Sequence, residues 1–204
     1  MTASERLEQI ATHGVDLAKR RIYLHGDVDG TMTARLLAAL HLMDEEDKLI
    51  TVFLDTGGGD EYEAWAMYDA MHLARSRIMV IGLGQVMSAG AIILNGASEG
   101  LRCLTRNCRF MIHNGQGDFS SVPQPHSSVV KAMGKEQEIN DNRYAFMLAE
   151  RADKGLDVQR MCLNETYMSA EDTVRLGFAD LIVDPKAYRY HIYKGKGKNY
   201  VRIR

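Results

Sequence analysis

One serine, Ser88, lies inside a run of small and apolar residues, GQVMSAGAIIL over 84–94. Small neighbours are typical of a tight helix contact, but they would also let a peptide backbone approach a nucleophile. A serine hydroxyl is a poor nucleophile at neutral pH, so the second interpretation needs a base, a group that orients it and donors for an oxyanion. The segment departs from the G-x-S-x-G elbow, because Val86 stands where the first glycine should be. This motif alone leaves a packing serine and a nucleophile both open.

The best candidate for the base is His113, in RFMIHNGQG, at the end of an apolar strand and just before a glycine-containing loop. A histidine at a strand end is well placed to face a site. A core histidine satisfied by the backbone fits the same pattern. The other histidines have weaker contexts: His41 and His72 lie in predicted helices and His126 and His191 in a polar loop or the tail, while the pattern assigns no environment to His13 or His25.

A third feature is LDTGGGD, in which three glycines, Gly57–Gly59, follow a predicted buried strand. Such a loop can bring its backbone close to a ligand and leave N–H groups free. A tight turn would have the same composition. If the loop lies beside Ser88, it would supply a donor to an oxyanion.

The elements that must position these residues alternate strand, turn and helix, which indicates an α/β fold with a parallel sheet. Thr31 or Thr33 would cap the second helix, and SAEDTVRLG indicates a capping box from Ser169 to Asp172. Predicted strands lie in RRIYLHGDV, LITVFLDT, IMVIGLG, LRCLT, RFMIHN and FADLIV. Predicted helices lie over 2–20, 30–47, 61–74 and 127–153, with a further helix of small residues that Ser88 opens. The 204 residues suit a single domain over 1–204, with an N-terminal segment over 1–20.

The helix predicted over 127–153 is strongly polar and has only a thin apolar stripe. Such a helix projects from the body of a protein or packs on a partner more often than it lies in a core. The tail over 188–204 is basic, which suits either a solvated terminal segment or contact with an anionic partner.

Composition excludes several function classes. The formal net charge of −2 gives no reason to expect nucleic acid as a partner, and no window has the length of a membrane helix. The N-terminus lacks the apolar core of a signal peptide. Three cysteines without metal-type spacing suggest reduced thiols in the cytoplasm, with no metal or cofactor bound by this chain.

Five segments, in order over about 21–183, resemble the proteolytic subunit of the Clp protease, the ClpP family. They are LDTGGGD, YDAM, GQVMSAGA, RFMIHN and ETYMSAEDTVRLGFAD. The resemblance implies an α/β fold of repeated ββα units of the ClpP/crotonase type, with 127–153 as a projecting handle helix. It also implies a serine endopeptidase.

Carried over position by position, the resemblance implies Ser88 as nucleophile, His113 as general base, and the N–H groups of Gly59 and Ala89 as the oxyanion hole. The family usually has Asp as the third member, where this chain has Glu165. Glutamate serves this role in some hydrolases. Asn164 is an uncharged alternative, and Glu165 could instead be a solvated surface acid.

The family binds an extended peptide as an added strand between the glycine loop and the segment after the base. Asp60 and Glu61 stand where apolar residues are usual. The substrate-binding residues implied here are Gly58, Asp60, Glu61, Gln116, Gly117, Asp118 and Phe119.

The resemblance further implies a homo-oligomer of two stacked seven-membered rings. It also implies a separate ring ATPase that unfolds polypeptide substrates, and ATP would be used only by that partner. Departures at Thr56, Gly57 and Glu165 suggest a divergent member, one that a phage could encode and that would then work in the host cytoplasm. Two alternatives stay open. One is a crotonase-like acyl-CoA enzyme, and the other is an inactive subunit or one that serves in capsid maturation.

Overall fold

The computed structural model describes residues 2–116 and 126–183, together with the short strand Ile192–Lys194. In this part of the chain nine strands form one sheet. They are β1 (Val15–Asp16), β2 (Arg21–His25), β3 (Leu49–Thr56), β4 (Arg77–Met87), β5 (Arg102–Thr105), β6 (Arg109–Ile112), β7 (Thr166–Ser169), β8 (Leu181–Val183) and β9 (Ile192–Lys194). The helices are α1 (Ala3–His13), α2 (Gly30–Met43), α3 (Glu61–Leu73), α4 (Ala89–Asn95), α5 (Ser127–Arg151), α6 (Val158–Leu163) and α7 (Ala170–Arg175).

The sheet is mostly parallel, which confirms the predicted α/β class. Its main path runs β1-β2-β3-β4-β5-β8-β9, while β6 pairs with β4 and with β7. The pairs β2–β3, β3–β4, β4–β5, β4–β6 and β5–β8 are parallel. The strands β1, β7 and β9 are antiparallel to their neighbours. Parallel strands joined by helices explain the apolar runs of β3 and β4, since helices cover such a sheet.

The long strand β4 changes partner along its length. Residues 80–82 pair with β5, and residues 85–87 pair with β6. The end of β4 therefore lies beside β6, away from β5. This change of partner carries the residue that follows β4 to the carboxyl edge of the sheet, where β6 also ends.

The core lies between the sheet and the helices that follow its strands. Every residue of α4 is buried, with Ile92, Ile93 and Leu94 fully so. A smaller cluster covers the other face of the sheet and includes Met79, Cys103 and Leu181. The buried helix α4 gives the segment that contains Ser88 a fixed base, because its apolar side chains are held by the main core.

The helix predicted over 127–153 is α5, which has 25 residues. Its buried residues begin at Asn140 and include Tyr144 and Leu148. The second half thus packs on the body of the protein, whereas the first half extends along the mouth of a cavity described below.

Three local expectations were wrong or incomplete. The helix predicted over 2–20 ends at His13, because Gly14 adopts a left-handed conformation with φ of 62° and ends it. Helix α2 is capped by Asp29, and not by Thr31 or Thr33, since the Asp29 carboxylate accepts from the Met32 N–H at 2.8 Å. Strand β7 was not predicted.

Ser169 caps α7 as predicted, because its Oγ accepts from the Asp172 N–H at 3.1 Å, but the Asp172 carboxylate accepts from Ser169 Oγ and not from the Ser169 N–H, as a full capping box requires. The described residues contain no helix that could span a bilayer. Cys103, Cys108 and Cys162 are buried and unpaired. Burial raises the pKa of each thiol to about 12, so at neutral pH these cysteines stay protonated and unreactive.

Candidate active site

Ser88 is the single residue between strand β4 and helix α4, and its backbone is strained. Its φ of 54° and ψ of −124° lie where side chains other than glycine are rarely found. Such a conformation costs on the order of 1–3 kcal/mol and persists only when its surroundings hold it. Here the Ser88 N–H donates to Met111 O at 2.9 Å, and the Tyr144 hydroxyl donates to Ser88 O at 3.1 Å.

His113 contacts Ser88 although 25 positions separate them in sequence. The distance between His113 Nε2 and Ser88 Oγ is 2.8 Å, which is a hydrogen bond. The register explains this contact, because Met87 of β4 lies opposite Met111 of β6 and both strands end at the same edge. For Nε2 to accept the hydroxyl proton, the neutral imidazole carries its own proton on Nδ1.

Glu165 lies on the other side of the imidazole. Strands β6 and β7 are antiparallel and pair Ile112 with Thr166, so residues 113 and 165 are the next opposing pair. Glu165 has a positive φ of 50°, and its N–H donates to Cys162 O at 3.2 Å, which turns the chain from α6 into β7.

The carboxylate of Glu165 is near the ring without being hydrogen-bonded to it. Its Oε1 is 3.8 Å from His113 Nδ1, an ion-pair distance that exceeds a hydrogen bond. The Glu165 side chain is 54% exposed, whereas that of His113 is 13% exposed. The Asn164 N–H donates to Arg160 O and Cys162 O at the end of α6, and within the described residues no hydrogen bond joins its side-chain amide to the ring.

The glycine loop packs directly against Ser88. A Cβ added at Gly58 would lie 2.6 Å from the Cβ of Ser88, so only glycine allows this approach. Both polar backbone groups of Gly58 are used internally. Its N–H donates to Thr56 Oγ1 at 3.1 Å, and its carbonyl accepts from the Val28 N–H at 2.9 Å.

The next residue, Gly59, has a free N–H. It forms an isolated parallel bridge with Val28, which uses the neighbouring Gly58 carbonyl and Asp60 N–H. The N–H of Gly59 has no acceptor among the described residues. The N–H of Ala89 also has no acceptor in the part of the chain that the structure describes, because Ala89 is the first residue of α4.

These groups open onto one cavity of about 1010 Å³. Of the predicted site residues, Ser88, His113, Gly59, Ala89, Asp60, Glu61 and Gln116 line it. Gly58 and Glu165 are not among the lining residues, and Gly58 packs against Ser88 instead. The structure does not test the assignments of Gly117, Asp118 and Phe119, which lie outside the described residues.

The wall that α5 contributes to this cavity was not predicted from the sequence. Its cavity-lining residues are Met133, Glu136, Gln137, Asn140, Asp141 and Tyr144. Spacings of three and four residues place all of them on one helical face. That periodicity was readable, but the helix was interpreted only through its apolar stripe.

A serine hydroxyl bonded to an imidazole, with two free amides on the same cavity, suits acyl transfer. The position of these groups on a mostly parallel sheet is consistent with the fold that the sequence resemblance implies. A sequence model of the Clp protease family matches residues 4–186, a range that contains Ser88, His113 and Glu165. This chain therefore belongs to the Clp protease family of peptidases.

Proposed function

We propose that this chain is a serine endopeptidase that hydrolyses peptide bonds in extended or unfolded polypeptides. The observation that carries the proposal is the 2.8 Å hydrogen bond between Ser88 Oγ and His113 Nε2, inside a cavity of about 1010 Å³. A cavity of that size accommodates several residues of a peptide.

The first step is attack of Ser88 Oγ on the carbonyl carbon of the scissile bond. As the new C–O bond forms, the hydroxyl proton passes to His113 Nε2, and the ring becomes a cation. The hydrogen bond already joins these two atoms, so little reorganisation is needed. The strained backbone of Ser88 keeps its side chain at this position.

Glu165 stabilises the imidazolium through its charge. Its carboxylate oxygen is 3.8 Å from Nδ1, so the attraction is Coulombic and is weakened by the solvent that reaches Glu165. The shorter Asp of other family members is thus replaced by a longer acid at the edge of the site. We assign Glu165 to this role and not Asn164.

The N–H groups of Gly59 and Ala89 bind the oxyanion that develops on the carbonyl oxygen. Both are free and both residues line the cavity on the side of Ser88. Removing one such donor typically costs a factor of about 10²–10³ in kcat.

Collapse of the tetrahedral intermediate breaks the C–N bond, and His113 Nε2 gives its proton to the leaving amine. The acyl group stays on Ser88 until water attacks the ester, again with His113 as base and the same oxyanion donors. The peptide main chain would lie extended between the glycine loop and the segment after His113, which includes Gln116–Phe119.

We also propose that the chain works as a closed homo-oligomer of stacked seven-membered rings. Several apolar side chains of α5 are exposed in the single chain: Val129, Val130, Ile139 and Phe146. Packing of α5 against another copy would cover them. Light scattering tests this, because a mass near the 22.9 kDa of one chain would contradict it.

A ring ATPase that unfolds substrates and feeds them to this chamber remains part of the proposal by family resemblance alone. The family match favours a peptidase over a crotonase-like acyl-CoA enzyme. The bonded Ser88–His113 pair favours an active enzyme over an inactive or purely structural subunit.

Cleavage of a fluorescently labelled unfolded protein tests the proposal, with Ser88→Ala compared with Ser4→Ala. Ser4 is an exposed serine in α1, so its loss should leave cleavage unchanged. We expect Ser88→Ala to reduce kcat by about 10³-fold or more, because the acyl acceptor is gone. Cleavage by Ser88→Ala at the rate of the native chain would overturn the assignment.

A further inference from the structure

The wall of the active-site cavity is acidic. Four carboxylate residues line it: Asp60, Glu61, Glu136 and Asp141. Among the described residues that line it, none is a lysine or an arginine. The cavity also contains the bonded Ser88–His113 pair, so its acidic wall surrounds a site built to receive a peptide.

Among the described residues, the groups that donate hydrogen bonds to these carboxylates are all neutral. Asp60 accepts from the N–H groups of Tyr62 and Glu63, and Glu61 accepts from Trp65 Nε1 at 3.2 Å. Glu136 accepts from the Tyr62 hydroxyl, and Asp141 accepts from the Gly115 N–H and Gln137 Nε2. These bonds fix the carboxylates in place without neutralising their charge.

Glu61 lines the cavity together with Ser88 and His113. It is half-buried at the start of α3, directly after the glycine loop. Burial raises its pKa above the usual range, and the charge of Asp141 adds to this, while the Trp65 N–H and Arg143 oppose it. Burial and, to a smaller extent, the negative charge of Glu61 raise the pKa of Tyr144, whose hydroxyl donates to Ser88 O.

Arg143, a cation whose charge lowers the pKa of Glu61, does not line the cavity. The guanidinium of Arg143 stacks on the Trp65 ring at 3.8 Å from its centroid, and Arg143 is not among the lining residues. A partly buried carboxylate without an ion pair is costly, so a cation from a ligand would be favoured there.

The cavity also has an apolar part. Ile92, Met111 and Met133 line it beside the carboxylates. Lysine and arginine side chains combine an apolar stem with a charged end, so they match both parts. A purely apolar side chain would bury the carboxylates further without neutralising them.

We propose that this cavity selects peptides with a lysine or arginine beside the scissile bond, an inference that rests on the peptidase function proposed above. Glu61 is the main partner of the substrate cation, and Asp141 is the second. Recognition of a cation by a partly buried carboxylate gives discrimination that an apolar pocket cannot provide.

Two fluorogenic peptides that differ only in the residue before the scissile bond test this proposal. One carries lysine and the other norleucine, which has the same stem without the ammonium group. We expect kcat/KM of the native chain to be at least about ten-fold higher for the lysine peptide. In Glu61→Gln this ratio should fall several-fold, whereas Glu171→Gln, an exposed acid outside the cavity, should leave it unchanged.

Asp141→Asn gives a second variant if Glu61→Gln does not fold, and its ratio should fall as well. Equal or faster cleavage of the norleucine peptide by the native chain, abolished by Ser88→Ala, would overturn the selectivity and keep the peptidase. Three negative results together would overturn both the selectivity and the peptidase function. They are no Ser88-dependent cleavage of either peptide, no cleavage of an unfolded protein, and no fluorophosphonate adduct on Ser88.

Discussion

Replacement of Glu165 by glutamine removes the charge beside His113 and keeps the length of the side chain. At 3.8 Å, two unit charges attract by about 1 kcal/mol in a water-like dielectric and by about 4 kcal/mol in one typical of a protein surface. Since about 1.4 kcal/mol is tenfold in rate, the loss of kcat lies between about five-fold and a thousand-fold. Because the Glu165 side chain is 54% exposed, we expect the loss of kcat to lie in the lower part of this range, at about 10- to 100-fold.

The assay is steady-state cleavage of one peptide by native chain, Glu165→Gln and Glu171→Gln, with assembly of each checked by light scattering. Glu171 is a comparably exposed acid that pairs with Arg106, so its variant controls for loss of surface charge. Glu165→Gln should lower kcat more than it changes KM, because the imidazolium forms only as the reaction proceeds.

Two results would refute this reasoning. A kcat within two-fold of native would mean that Glu165 does not act on His113 and that another group stabilises the ring. A loss near 10⁴-fold, as when a buried and hydrogen-bonded acid is replaced, would mean that the carboxylate bonds Nδ1 directly in the working enzyme.

Three further predictions concern the loop, the strained serine and the fold. Gly59→Ala should lower kcat about 10²-fold or more, because a Cβ there would overlap the Val28 carbonyl and displace the oxyanion donor; a kcat near native would contradict this. The free energy of unfolding of Ser88→Gly, measured with urea at equal protein concentration, should exceed that of Ser88→Ala by up to about 2 kcal/mol, because glycine adopts the positive φ without strain. The opposite order would mean that the backbone at residue 88 is not strained. Asp16→Asn should cost about 1–3 kcal/mol at pH 7, because it breaks the bond to Arg6 that lowers the pKa of Asp16. A carboxylate with a lowered folded pKa stabilises above its unfolded pKa, so the difference should vanish as pH falls through the folded pKa, and a pH-independent difference in urea unfolding would refute the ion pair.

Much of the sheet was predictable because its central strands are continuous apolar runs. β3 was predicted over its observed range. Strand β4 ends just before Ser88 and β6 just before His113, and these two residues are hydrogen-bonded to each other. Strands that end at one edge bring distant residues together, and this logic needs no knowledge of side-chain packing.

The position of Glu165 could not be derived from local pattern. It depends on β7, a four-residue strand that lies between two short helices and has no clear alternation. Only pairing with β6 puts residue 165 opposite residue 113, and pairing is a tertiary property. The resemblance to the family supplied what periodicity could not.

The role of α5 was missed for a similar reason. A periodic row of residues marks one face of a helix, but it does not say what that face meets. Here the face with Asp141 and Tyr144 contacts Gly115 and Ser88, so a helix interpreted only through its role in assembly also lines the site. The cap of α2 shows the same limit at short range, since Asp29 competed with two nearby threonines.

The most direct test of the active-site assignment is reaction of the native chain with a fluorophosphonate, followed by mapping of the adduct by mass spectrometry. An activated serine is phosphonylated, whereas an ordinary hydroxyl is not. We expect one adduct, on Ser88, formed at least about 10²-fold more slowly in His113→Ala. No adduct on Ser88, or one formed as fast without His113, would contradict it.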